Sequence, residues 1–219
     1  QDYFWRCSLS GRFSSSVESK LAQDIQKIDK IIENKLPVYE WPVKIDKQFI
    51  EWNGYFSTSK SFIKAILCLY AYHLPKSFID DSLVTIDNSW LKIASSKNYH
   101  HFFPKSYLYK KGLQDNYINH IVNITIVDDY LNKREIRDMA PSKYMKKFIE
   151  YNPNIKSSME SHLIMDLEEY GIFNDDYDTF FEMRCSKIAE ELNKRIIYQE
   201  IDNQEMELIN DTEEDDFEN

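Results

Sequence analysis

Apolar residues recur at helical spacing along much of this chain. Between Ser15 and Pro37 they return every three or four positions, and most of the residues between them are Lys, Asp, Glu or Gln. This pattern predicts an amphipathic helix with one wet face. Ser15 and Glu18 fit a capping box at its start, and the helix should end before Pro37. The apolar stripe consists of Val17, Leu21, Ile25, Ile28 and Ile32.

A second helix is predicted from about residue 59 to residue 73, and it is apolar on most sides. Such a helix should lie in the core. The stretch between these two helices, residues 37–56, contains two prolines and a glycine and is predicted to be a connector. Towards the other end of the chain, helices are predicted to start at Pro141 and to cover residues 155–171 and 177–199.

The middle of the chain carries the strand signals. A run rich in β-branched residues from Ile118 to Val127 favours a strand, and a short extended segment is predicted at residues 99–104. A turn and a short helix are expected to start at Asp128 or Asp129. The pattern is therefore mainly α-helical with one small strand–loop–strand–helix insertion.

Charge is distributed unevenly over the 219 residues. The formal net charge of −10 argues against a nucleic-acid partner, but residues 200–219 contain ten acidic residues and no basic one. Without them, 27 basic residues face 27 acidic ones, and within residues 97–149 ten basic residues face five acidic ones. The acidic tail is predicted to be disordered, with mimicry of DNA as the alternative, and the basic middle is compatible with DNA.

Other features set the cellular context. The three cysteines are far apart and form no C-x-x-C pair, which argues against a zinc ribbon and favours a reducing cytoplasmic setting. The chain contains no run of about 18 apolar residues, so no membrane span is expected. The chain opens with Gln1 and without secretory features, so we expect it to be a piece of a longer protein.

Histidines and asparagines in the insertion suit phosphodiester hydrolysis. His100 and His101 stand at a predicted strand end, and Asn123 and Asn132 follow on the next strand and helix, so the four can converge. A neutral histidine can accept a proton from water, and an amide carbonyl can orient its ring. A divalent cation can offset the charge that develops on the phosphate and the departing oxygen.

The stretch "NYHHFFPKSYLYKKG…NYINHIVNITIVDDYLNKREIRDMAPSKYM" resembles the C-terminal HNH module of GmrSD-type modification-dependent restriction endonucleases. It is also similar to the HNH domain of CRISPR effector nucleases. The shared elements occur in order: a histidine pair followed by Pro104, an asparagine in a β-branched run, an asparagine before a lysine, and Pro141-Ser142. The upstream stretch "FWRCSLSGRFSSSVESKLAQDI" also resembles the segment that precedes the nuclease in this family, so the resemblance covers roughly residues 4–150.

The resemblance implies a ββα-metal (HNH, His-Me finger) motif of hairpin plus helix embedded in the helical fold. By this likeness His101 is the general base, Asn123 holds the active loop and His101, and His100 and Asn132 are metal ligands. Many HNH proteins have Asp at the position of His100 and His at the position of Asn132. An uncharged pair of His and Asn should weaken magnesium binding. The cofactor is therefore magnesium or manganese, or another transition metal.

The resemblance also implies that this chain is part of a longer protein. An amino-terminal nucleotide-binding domain precedes the nuclease in this family, and the assembly defends against modified phage DNA. We expect a helical region at 1–90 that links to such a domain, the nuclease core at 91–150, packing helices at 151–199 and the acidic tail at 200–219.

Four basic residues near the motif are candidates for contacts with DNA phosphates, although a solvated basic face is an equally good interpretation. They are Lys105, Lys133, Arg134 and Arg137. Two other functions stay open at this point: a catalytically weak or inactive HNH-fold module that only binds DNA or a partner, and an all-helical scaffold without a nucleic-acid role.

Overall fold

Helices form most of the structure, a computed structural model that describes residues 1–86, 99–128 and 135–203. One small antiparallel sheet joins β1 (Tyr99–His101) to β2 (Ile124–Ile126). The α-helices in the described ranges are α1 (Asp2–Leu9), α2 (Val17–Ile32), α3 (Lys47–Asn53), α4 (Ser61–Tyr72), α5 (Lys105–Lys110), α6 (Asp115–Ile118), α7 (Pro141–Tyr151), α8 (Ile155–Glu160) and α9 (Tyr177–Asn193). The prediction of a mainly helical protein with a two-stranded insertion is confirmed.

The first predicted helix is present as α2, but its start differs from the prediction. Ser16 precedes the helix in the left-handed conformation, with φ of 53°, and makes no side-chain capping hydrogen bond. The predicted capping box of Ser15 and Glu18 is therefore wrong, because the chain enters the helix through a turn rather than through an extended capping residue. The apolar stripe of α2 is exposed, and its buried side chains are Asp24 and Lys27.

Helix α4 is the core helix that its composition predicts. Seven of its twelve residues are buried, among them Phe62, Ile66 and Leu69. Helix α3 lies within the stretch predicted to be a connector, and it starts where the side chain of Asp46 accepts the backbone N–H of Phe49 at 2.8 Å. This cap satisfies a backbone donor that the helix itself leaves unpaired.

Of the helices after the insertion, the last two are shorter than predicted. Helix α7 begins with Pro141 in its first turn, as expected. Helix α8 stops at Glu160, and Leu163 then adopts a positive φ of 58°, which a continuing helix does not allow. Helix α9 starts at the capping residue Asp176 and ends at Asn193.

Arg6 and Asp202 join α1 to the last described residues. The guanidinium donates to both carboxylate oxygens of Asp202 at 2.8 and 2.6 Å, and the same carboxylate accepts the backbone N–H of Val43 at 2.8 Å. Residues 200–203 form a 3-10 turn in which Asp202 is buried. The prediction that the disordered tail begins at residue 200 is therefore wrong, because this ion pair fixes residues 200–203. Residues 204–219 lie outside the described residues.

Most of the buried apolar residues that the structure describes belong to a cluster that runs from Trp5 to Ile196. This cluster takes residues from the predicted segments 1–90, 91–150 and 151–199. All three cysteines belong to the described ranges and are free thiols. No helix in the part of the chain that the structure describes is both long enough and apolar enough to cross a membrane.

Candidate active site around His101

The two histidines occupy the end of β1, where the chain turns into the loop that leads to α5. Strand β1 pairs with β2 so that His100 lies opposite Thr125 and His101 lies opposite Ile124. Successive side chains of a strand point to opposite faces. The ring of His100 is accordingly buried, and the ring of His101 is only half-buried.

Strand β2 is much shorter than the predicted strand from Ile118 to Val127. Residues Ile121–Asn123 form a 3-10 turn instead. The side chain of His120 caps this turn, since its Nδ1 accepts the backbone N–H of Val122 at 3.2 Å. The prediction that Asn123 lies in the strand is therefore wrong by one residue, because the turn that His120 caps extends to Asn123.

Asn123 bridges three backbone groups from inside the core. It is completely buried. Its Oδ1 accepts the N–H of Phe103 at 2.8 Å, and its Nδ2 donates to the carbonyl oxygens of Phe103 at 3.0 Å and of Ile118 at 3.2 Å. The side chain thus fixes the loop that follows His101 against the segment that precedes β2.

His101 has a defined hydrogen-bond partner in Asn119. The Nε2 atom of His101 lies 3.0 Å from Oδ1 of Asn119, whose Nδ2 donates to the carbonyl oxygen of Phe56 at 3.4 Å. Because a carbonyl oxygen only accepts, Nε2 must carry the proton, and in the neutral ring the lone pair is on Nδ1. Sequence reasoning missed Asn119, which lies inside the stretch that carries the family resemblance but matches none of its shared positions.

The environment keeps His101 neutral. Burial lowers its pKa to about 4, and nearby Lys105 acts in the same direction, while the bond to Asn119 and the charge of Asp115 oppose the shift. At neutral pH the ring therefore has an unprotonated nitrogen. A negatively charged phosphate placed beside it would favour the protonated form and raise the pKa.

His100 is 2% exposed, and its Nδ1 lies 3.4 Å from the hydroxyl oxygen of Thr125. Burial lowers its pKa to about 3, with the charges of His101 and His162 adding to the effect. An unprotonated ring meets one requirement of a metal ligand. However, the ring of His100 lies in the core on the face of β1 opposite that of His101, so the structure does not bring the two histidines together at one site as the sequence predicted.

Asn132, the other predicted metal ligand, lies outside the described residues, as do residues 129–134 of the segment predicted to form the helix of a ββα motif. Within residues 1–86, 99–128 and 135–203, no three His, Cys, Asp or Glu side chains converge as metal ligands. The residues present therefore do not fit a cage of charged ligands.

The basic candidates are only partly described. Lys105 is the first residue of α5, next to Pro104, and it is electrostatically coupled to His101. Arg137 is exposed and has a positive φ of 53°. Lys133 and Arg134 lie outside the described residues. The structure thus places one of the four predicted phosphate contacts beside His101.

Arg184, on helix α9, binds backbone carbonyl oxygens in and next to β2, the strand beside the candidate site. This residue is fully buried. Its Nη1 donates to the carbonyl oxygens of Val122 and of Ile124, the latter at 2.9 Å, and its Nη2 donates to that of His162 at 3.0 Å. Sequence reasoning missed it because an arginine on an amphipathic helix normally indicates a solvated position.

Most of this sequence is similar to known proteins. The sequence model for the C-terminal domain of GmrSD restriction endonucleases matches residues 43–194, a range that includes both strands and His101. An uncharacterized protein of Methanocaldococcus jannaschii is 31% identical over 156 residues, which are 69% of this chain and 25% of that protein. The chain thus spans about a quarter of the length of this curated relative. No solved structure matches this chain.

Proposed function

Because the chain belongs to the family of GmrSD restriction endonuclease C-terminal domains, we propose that it is a metal-dependent DNA endonuclease module that hydrolyses phosphodiester bonds. The observation that carries this proposal is the bond between Nε2 of His101 and Asn119. It fixes the tautomer of a half-buried, neutral histidine at the end of the hairpin. DNA is the substrate that the family name implies.

In the proposed reaction, Nδ1 of His101 takes the proton from the attacking water. The water oxygen bonds to phosphorus as the bond between phosphorus and the 3′ oxygen breaks, and the 3′ oxygen takes a proton from solvent. The neighbouring phosphate stabilises the imidazolium, which returns its proton to solvent after the product leaves. Asn119 keeps the ring oriented by accepting the Nε2 proton. Asn123 holds the loop through Phe103, so that the end of β1 keeps its geometry.

His100 and Asn132 are the proposed ligands of a divalent metal, magnesium or manganese or another transition metal. The ring of His100 would have to turn out of the core to reach a cation beside His101. When bound, the metal stabilises charge on the phosphate and on the leaving 3′ oxygen. Lys105, Lys133, Arg134 and Arg137 are the proposed contacts with DNA phosphates. They position the duplex and do not read its sequence.

We further propose that this module acts in a longer protein of the cytoplasm that restricts modified phage DNA, with a nucleotide-binding domain upstream. The length of the relative from Methanocaldococcus jannaschii supports a longer polypeptide, since the matched segment is only 25% of it. Recognition of the modification then belongs to other parts of the assembly.

The test is cleavage of supercoiled plasmid by the chain with magnesium or manganese. We expect His101→Ala to lower the rate at least about 100-fold, the lower range for loss of an acid–base group. His73→Ala is the matched control, because His73 is a half-buried histidine at the end of α4, where its Nε2 lies 3.6 Å from the carboxylate of Glu191. Equal cleavage by the wild type and by His101→Ala would rule out the proposed base.

A second candidate function is a DNA- or partner-binding module that retains the fold without catalysis. The absence of a cluster of charged metal ligands among the described residues favours it. In that case the wild type binds a labelled duplex, with an affinity that falls steeply as salt increases, and does not nick plasmid with any metal. Failure to bind the duplex at low salt would argue against both candidates.

A further inference from the structure

Two tyrosines from different segments of the chain share the carboxylate of Asp115. The hydroxyl of Tyr109, in α5, donates to Oδ1 of Asp115, and the hydroxyl of Tyr55 donates to Oδ2 at 3.3 Å. The bond from Tyr109 holds the pKa of Asp115 below its ordinary value, so the carboxylate is ionised at neutral pH. We call Tyr55, Tyr109 and Asp115 the tyrosine–aspartate cluster.

The tyrosine–aspartate cluster lies next to His101. Asp115 begins α6, and Asn119, which accepts the Nε2 proton of His101, follows one helical turn later on the same side of the helix. The charge of Asp115 is close enough to act on the ring of His101. Tyr55 is fixed nearby, because the N–H of the next residue, Phe56, donates to the carbonyl oxygen of Asn119 at 2.9 Å. A molecule that contacts the cluster therefore lies beside the proposed general base.

The rings of the cluster are accessible to a ligand. Tyr55 is 42% exposed and Tyr109 is 47% exposed, and Asp115 is exposed as well. Because each hydroxyl is bonded to the same carboxylate, both rings are held in place before any ligand arrives. A side chain that is already ordered loses less conformational entropy on binding. The cluster thus offers two preorganised aromatic surfaces to solvent.

The chemistry of the cluster selects a flat, uncharged group with N–H donors. Tyrosine rings stack on flat groups, and an ionised carboxylate repels a phosphate. The oxygens of Asp115 keep free lone pairs after they accept the tyrosine hydroxyls. A nucleobase with an amino group meets these requirements, since carboxylates accept from the amino group of cytosine. Its ring is free to stack on protein only when the base leaves the duplex stack.

Lys105 provides the contact for the backbone of the same strand. Lys105 and Tyr109 are four residues apart in α5, so they lie on one face, about 6 Å apart along the axis. The charge of Lys105 acts on both His101 and Asp115. Sites for single strands combine cations that follow the phosphates with aromatic rings on which bases stack. Helix α5 supplies one group of each kind.

We propose that the tyrosine–aspartate cluster is a nucleobase site, which holds an unpaired base with an amino group beside His101. This inference rests on the proposed DNA substrate and narrows it to single-stranded or locally unpaired DNA. The two rings supply the binding energy, and the carboxylate of Asp115 favours bases with an amino group over thymine.

The test is fluorescence anisotropy of the whole chain with a labelled single strand of about 12 deoxycytidines, in EDTA so that the strand stays intact. We expect Tyr55→Ala and Tyr109→Ala each to raise the dissociation constant at least about fivefold, the effect of losing one stacked base. Tyr55→Phe and Tyr109→Phe retain the rings and should keep most of the affinity. Wild-type affinity of both alanine variants overturns the proposal.

The role of the carboxylate has its own measurement. Wild type should bind the deoxycytidine strand more tightly than a thymidine strand of equal length. Thymine has no amino group, and its one N–H lies between two carbonyl oxygens that a carboxylate repels. Asp115→Ala should reduce this difference, because the acceptor is removed. The same preference in the wild type and in Asp115→Ala would contradict the assignment of Asp115.

Two controls make the outcome specific. Tyr72→Ala changes a tyrosine that is 67% exposed at the end of α4 and should leave the dissociation constant unchanged. Circular dichroism should give the same helix content for all variants, since the substituted side chains are exposed. Plasmid cleavage by the wild type without tyrosine-dependent binding would overturn the base site alone. Tyrosine-dependent binding without cleavage would support the base site and overturn the nuclease proposal alone.

Discussion

The carboxamide of Asn123 bonds to both backbone polar groups of Phe103. Its oxygen accepts the N–H at 2.8 Å and its nitrogen donates to the carbonyl at 3.0 Å, so the side chain pairs with the loop as a neighbouring strand would. A buried asparagine with a complete set of partners stabilises one loop conformation. The position of His101, two residues before Phe103, depends on that conformation.

Asn123→Ala should lower the free energy of unfolding by about 3 kcal/mol, because three buried backbone groups would lose their partner. Chemical denaturation with urea measures this loss. Asn116→Ala, at an exposed position of α6, is the control and should change stability by less than about 0.5 kcal/mol. Similar losses in both variants would show that the bridge to Phe103 does not stabilise the loop.

Asn119→Ala should lower the turnover of DNA cleavage about 10- to 100-fold, since the ring of His101 would lose the acceptor that orients it. Asn119→Asp keeps an oxygen acceptor at this place and should restore most of the rate. Steady-state kinetics on a duplex oligonucleotide separate kcat from KM. If KM rises and kcat is unchanged, Asn119 contributes to binding and does not position the base.

Arg184→Lys should destabilise the protein by at least about 2 kcal/mol. A lysine cannot reach the three carbonyl oxygens on two segments that the guanidinium joins, and its charge would remain buried. Thermal and urea unfolding measure the effect, with exposed Arg137→Lys as the matched control. A neutral result for Arg184→Lys would mean that these carbonyl oxygens find other donors.

His162 makes stability depend on pH below neutrality. Its Nε2 donates to the carbonyl oxygen of Lys76 at 2.8 Å, and burial lowers its pKa from 6.5 to about 3. The unfolded chain therefore takes up a proton that the folded chain does not, and stability is full above pH 6.5 and falls as the pH decreases towards 3.

His162→Gln can keep the bond to Lys76 without this titration. Between pH 6 and pH 4, its unfolding free energy should decrease less steeply than that of the wild type, by about 1.4 kcal/mol per pH unit. Urea titrations at several pH values measure the slope, and values at pH 8 give the offset caused by the substitution itself. Parallel slopes for the two proteins would contradict the assignment to His162.

Periodicity predicted the helices but not the face by which α2 packs. The spacing of Val17 to Ile32 is the same whether the stripe is buried or exposed, and Asp24 becomes a buried residue only because Arg12 and Tyr3 reach it. These partners come from other segments of the chain, so the sequence around Asp24 carries no signal of its burial. The same applies to Arg6, whose partner Asp202 is 196 residues away.

The candidate site shows a similar division. The order of His100, His101 and Asn123 could be read from the sequence because these residues follow a known motif. Asn119 could not, since its role depends on how α6 ends and on the carbonyl oxygen of Phe56. The strand prediction overshot because β-branched residues also suit a buried 3-10 turn once His120 caps it.

The contact between Arg6 and Asp202 brings the two outermost described segments side by side. A short peptide could therefore connect them, and the chain could be opened at a new point without disturbing the core. The turn at Gly112 suits such an opening, because it is exposed and nothing approaches the glycine. A circularly permuted form of the domain should thus fold, with its ends moved to the side of α5 and α6.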